Sequence, residues 1–77
     1  MRYFKTSNAT RRYIAGELAF SFEPVEQVGG SWLGVLEVAD EATSALLAAA
    51  AIPQVVEITA EEYADNLKKK ISVPSLR

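Results

Sequence analysis

The stretch VEQVGGSWLGVLEV, residues 25–38, decides the fold. Two apolar runs flank the adjacent glycines Gly29 and Gly30. A two-residue connection between strands requires a type I′ or II′ turn, and the positive φ angles of such turns cost only glycine nothing. The spacing therefore predicts an antiparallel hairpin, with one strand ending near Val28 and the next starting near Ser31. A phosphate-cradling loop is the competing reading. It fails because GGSWLG lacks the lysine of a Walker loop and is followed by a strand pattern rather than a helix. In the second run Trp32, Gly34, Leu36 and Val38 share one face, while Leu33, Val35 and Glu37 share the other. Both faces are largely apolar, which places this strand inside a sheet.

Upstream, Leu18, Phe20 and Phe22 alternate with Ala19, Ser21 and Glu23, the period of a half-buried strand. Pro24 cannot donate to a ladder, so the strand is bulged or lies at an edge there, and VEQV resumes it. RYFKT, residues 2–6, reads as a short strand. SNAT, residues 7–10, supplies turn-forming side chains. RRYIA, residues 11–15, is then either a second strand completing a first hairpin or a single helical turn closed by Gly16.

Downstream, DEATSALLAAAAI, residues 40–52, reads as a helix with Asp40 as N-cap and Glu41 at the positive end of the dipole. Pro53 follows it, and QVVEI, residues 54–58, is a strand. TAEEYADNLKKK, residues 59–70, opens with Thr59 and Glu62 in capping-box spacing. Tyr63, Leu67 and Ile71 form one apolar stripe, and Asp65 and Lys69 stand in i,i+4 relation. The fold class is α+β: a small, mainly antiparallel sheet of three or four strands around the Gly-Gly hairpin, packed by two helices covering one face, in the order β(β)ββ-α-β-α. Residues 1–71 form one domain, and residues 72–77 are expected to be a flexible tail.

At 77 residues the chain has room for one core. With no cysteine and no histidine it has no disulfide, no thiolate zinc site and neither the commonest general base nor the commonest metal ligand. Glu23, Glu26, Asp40, Glu57, Glu61 and Glu62 each have a local explanation as a cap, a first-turn acid or an outward strand residue. No catalytic, cofactor-binding or metal residues are assigned. A carboxylate-based enzyme stands only as a distant third reading. The N-terminus lacks the apolar core of a signal peptide, and no apolar run approaches the length of a membrane span. The expectation is a soluble cytoplasmic protein.

Charge order is the unusual feature. Residues 1–16 carry four cations and no acid, residues 17–67 all ten carboxylates and no cation, and residues 68–77 four cations again. Arg2, Tyr3, Lys5, Arg11, Arg12 and Tyr13 interleave cations with aromatics, as a nucleic-acid-stacking surface would. If the first strand and the last helix lie side by side, Lys68, Lys69 and Lys70 join them in one positive face. A sequence pI near 5.0 opposes a phosphate ligand, and charge compensation within the domain is the alternative. Exposed ion pairs are worth only about 0–1 kcal/mol each, so stability is a weak reason to segregate charge. Trp32, the only tryptophan, is either a packing residue behind the turn or an interface anchor.

The segment QVVEITAEEYADNLKKK, residues 54–70, resembles the finish of many small uncharacterised proteins of bacteria and their phages. There a strand leads into an "ITxEEY" helix with a lysine-rich close. FEPVE and GGSWLGVL look like segments of small phage-encoded reading frames as well. The resemblance implies an accessory or interaction protein, virion-associated if phage-encoded, and carries over no functional residue. The leading reading is a non-enzymatic interaction module that binds a protein partner or another copy of itself. Its partner surface would be Arg2, Tyr3, Lys5, Arg11, Arg12, Tyr13, Trp32 and Lys68–Lys70. The runner-up is a nucleic-acid-binding protein using the basic N-terminal strands.

Overall fold

The computed structural model describes residues 1–72 and the side chains of residues 1–69. In chain order the elements are β1 (Arg2–Thr6), β2 (Arg12–Ala15), β3 (Leu18–Ser21), β4 (Glu23–Val28), β5 (Ser31–Val38), α1 (Glu41–Ala49), β6 (Val55–Ile58) and α2 (Ala60–Ser72). They form an α+β domain with a four-stranded antiparallel sheet ordered β4-β5-β1-β6 and a separate two-stranded sheet, β2-β3. Ser72 still belongs to α2; the rest of the expected tail lies outside the described residues.

The Gly-Gly hairpin closes as its spacing requires. Val28 faces Ser31, and Gly29 and Gly30 take φ values of 57° and 85°. A Cβ at Gly30 would meet nothing within 4 Å, so the only cost of a side chain there is the left-handed backbone. Gly30→Val is therefore expected to lose about 1–2 kcal/mol in urea unfolding. An unchanged midpoint would contradict the turn. Pro24 satisfies both of its readings, since β4 is an edge strand whose register slips between Pro24 and Glu26. Val25 occupies the bulge and is buried.

The expected first hairpin does not form. β1 is an interior strand, pairing with β5 from Arg2↔Val38 to Thr6↔Gly34 and with β6 from Tyr3↔Ile58 to Thr6↔Val55. Phe4 and Thr6, each 1% exposed, require strands on both flanks and cover above, which a local hairpin with β2 would not supply. The SNAT segment carries the chain away over the sheet, where the Ala9 N–H donates to the Trp32 carbonyl at 2.9 Å. Residues Arg12–Ala15 are a strand, not a helical turn, paired with β3 through Tyr13↔Phe20 across a bend at Gly16 with φ 63°.

The helices lie on opposite faces of the sheet rather than on one. Side chains alternate along a strand. Phe4 joins Tyr13, Phe20, Phe22, Val38 and Leu47 in a core capped by the β2–β3 hairpin and α1. Tyr3 and Lys5 point the other way, meeting Tyr63 at a ring-centroid distance of 4.7 Å and Glu62 at 2.8 Å, both on α2. An interior strand apolar on both sides, as β5 is, is what makes two covers necessary.

Both helix starts follow local chemistry. Asp40 Oδ2 accepts the Thr43 N–H at 2.8 Å, and Thr59 Oγ1 accepts the Glu62 N–H at 3.1 Å. α1 stops at Ala49, earlier than the alanine run suggests, with Ala51 left-handed at φ 50°. The residue before a proline avoids the helical region, so Ile52 leaves the helix and packs on the core instead.

Candidate interaction surface

Of the residues that would make one positive face, Arg2, Lys5, Lys68 and Lys69 are each met by a carboxylate. The β1–β6 register sets Arg2 beside Glu57. Its Nε and Nη2 donate to the two carboxylate oxygens at 2.9 and 2.8 Å, and Glu41 lies 3.8 Å away. That bidentate bond holds the Glu57 carboxyl below its ordinary pKa and raises Arg2 above its own. The packing of α2 over β1 and β4 ties Lys5 to Glu62 at 2.8 Å and Lys69 to Glu26 at 3.1 Å. Lys68 lies 3.9 Å from Asp65, taking the place that spacing had suggested for Lys69. The Lys70 side chain lies outside the described residues. β1 and α2 do lie side by side, but the acids of β6, α2 and β4 arrive with them. Charge compensation prevails over a merged positive face.

The aromatics of the expected surface are largely used internally. Tyr13 is 5% exposed, its ring edge-on to Phe22 at 5.5 Å. The inward side of β2 faces the main sheet, so this ring cannot stack on a base. Tyr3 is half-buried against Tyr63, whose hydroxyl is shifted up in pKa by burial, then by Glu37 and Tyr3. Trp32 is half-buried against the main core. It belongs to packing, because its face of β5 is the one the loop and hairpin cover.

What remains is the outer side of the hairpin. Arg11 and Arg12 are exposed and make no ion pair among the described residues. The Arg11 guanidinium sits 5.9 Å from the centroid of the Tyr13 ring. Beside Arg12 on β2, Ile14 is 58% exposed; Leu18, 42% exposed, pairs with Ala15 and so belongs to the other side of the hairpin. Leu46 of α1 lies against Gly16. Sequence reasoning missed Ile14 because an isolated isoleucine between two strand residues carries no sign of facing outward. Its pairing with Ala19, opposite in direction to buried Tyr13 and Ala15, shows it.

Two depressions flank this architecture. A groove of about 480 Å³ runs between α2 and the β4–β5 corner, lined by Glu23, Glu37, Tyr63 and Leu67 among others. A smaller pocket of about 280 Å³ lies beside Arg11. No group of three or more acidic, histidine or cysteine side chains gathers in a metal-binding arrangement among the described residues. No helix among them is long and apolar enough to cross a membrane. Comparison with protein-family models, curated proteins and solved structures returns no match.

Proposed function

We propose that this chain is a small non-enzymatic interaction module that engages an acidic protein surface through the outer side of the β2–β3 hairpin. One observation carries the reading. Arg2, Lys5, Lys68 and Lys69 each have a carboxylate of this chain in reach, whereas Arg11, just before β2, and Arg12, on β2 with an exposed Ile14, have none among the described residues. Cations beside exposed apolar groups are the makings of a protein contact, with arginine suited to carboxylates. A nucleic-acid reading is disfavoured, because most of its phosphate-contacting cations are spent and Tyr13 is buried. The phage-protein resemblance of residues 54–70 supports an accessory role.

The test is binding to immobilised polyglutamate and to a short single-stranded oligonucleotide, at low and high salt, with sedimentation alongside to register self-association. Wild type is expected to bind polyglutamate at low salt and release it at high salt. Arg11→Gln/Arg12→Gln should weaken that binding by about 3–10-fold, two exposed charge contacts' worth. Tighter binding to the oligonucleotide would replace this reading with the nucleic-acid one. No binding to either probe and a monomer throughout would overturn it.

A further inference from the structure

The pocket beside Arg11 is built for more than a diffuse charge contact. It lies between the start of β2 and the α1–β6 connection and is lined by Arg11, Tyr13, Ile52, Pro53 and Gln54. Its floor is rigid. The Tyr13 hydroxyl is within hydrogen-bond reach of Thr6 Oγ1 at 2.7 Å, the Asn8 carbonyl at 3.0 Å and Gln54 Oε1 at 3.2 Å. Hydrogen bonds that already hold such a floor lower the cost of ordering it on binding. Ile52 and Pro53 make an apolar wall. At the mouth stands Arg11, exposed and with no ion pair among the described residues.

The chemistry of the vacant positions is one-sided. The Tyr13 hydroxyl is taken up by Thr6, Asn8 and Gln54, so the charged group the pocket offers a ligand is the guanidinium fork of Arg11, a set of N–H donors. A matching ligand is an acceptor, best an anion, joined closely to a small apolar group. We propose that this pocket binds a carboxylate carrying a short apolar side chain, as the C-terminal residue of a partner polypeptide presents it. The free α-carboxylate meets Arg11 while the adjacent side chain lies on Ile52 and Pro53. An aspartate or glutamate side chain has the carboxylate without the apolar branch. Inorganic phosphate has no apolar part at all, and the pocket, at about 280 Å³, lies at the small end of the roughly 300–1,000 Å³ of ligand sites. The proposal rests on the hairpin reading above and names the feature of the partner that the hairpin recognises.

Amide-shift titrations by NMR test it on the full chain, with N-acetyl-leucine, N-acetyl-leucinamide and inorganic phosphate as probes. N-acetyl-leucine is expected to shift the resonances of Arg11, Tyr13 and Gln54. The amide and phosphate should bind at least about tenfold more weakly, since each lacks one half of the match. Arg11→Gln should lose about tenfold in affinity for N-acetyl-leucine, Arg12→Gln nothing, and the dispersion of each variant's spectrum reports that it is folded. Equal binding of the amide, equal losses in the two arginine variants, or no shift at these residues would overturn the pocket. If the pocket fails while salt-sensitive polyglutamate binding persists, the hairpin surface stands without it. If neither binds, both readings fall.

Discussion

Gly34→Ala is expected to be among the most destabilising single substitutions in this domain, although it adds one methyl group. A Cβ at Gly34 would fall 2.4 Å from Ala9 Cβ, 3.0 Å from Phe22 Cβ and 3.1 Å from the Glu23 carbonyl oxygen. These are backbone or first side-chain atoms, so no rotamer change relieves the contact. The loop carrying Ala9 is itself pinned to β5 by its bond to the Trp32 carbonyl at 2.9 Å. Overpacking in a tight core costs about 1–3 kcal/mol, and more where backbone must move. The expected loss is about 3 kcal/mol or more. For a chain of this size that is a large part of a total of roughly 4–12 kcal/mol. Urea unfolding of Gly34→Ala beside Gly30→Ala separates the two roles that glycine plays in one stretch of chain. At Gly30 the cost is conformational; at Gly34 it is steric. Equal, small losses at the two positions would mean that the loop does not lie against β5 as described.

Phe4→Ala is expected to cost about 3–5 kcal/mol, the range for removing a fully buried aromatic side chain. Phe4 is 1% exposed. It sits on the central strand of the sheet, opposite Leu36 of β5 and Glu57 of β6, where it joins Leu47 of α1 and the aromatics of the hairpin in one cluster. Deleting the ring opens a cavity in the layer that joins the hairpin and α1 to the sheet. The hairpin is therefore expected to loosen first, with faster amide exchange at Tyr13 and Phe20 than at Leu33 or Val35. A loss below about 1 kcal/mol would show that the cluster collapses around the vacancy or was never tight.

Local chemistry was readable without the fold. The Gly-Gly turn, the Asp40 and Thr59 caps, the bulge at Pro24 and the interior position of β5 each follow from a few neighbouring residues whose backbone options are narrow. The α+β class followed from their order. Of the residues nominated for a partner surface, Arg11 and Arg12 stay exposed, while Arg2, Lys5, Tyr13 and Trp32 are taken up by contacts of the fold itself.

Those local features are what the sequence by itself determined, because a turn, a cap or a strand period is decided by residues in contact along the chain. The tertiary structure decided the rest. Phe4 could be recognised as a strand residue, but its neighbours Leu36 and Glu57 lie far along the chain. A central strand gains more burial from two distant partners than from the nearby β2. The charge pattern left a merged basic face and internal compensation both open until the registers of β1, β6 and α2 set Glu57, Glu62 and Glu26 against Arg2, Lys5 and Lys69. Gly34 read as one more strand residue until the loop at Ala9 closed over it. In each case the deciding energy is a contact between segments with no sequence relation to each other, and only the folded chain brings them within reach.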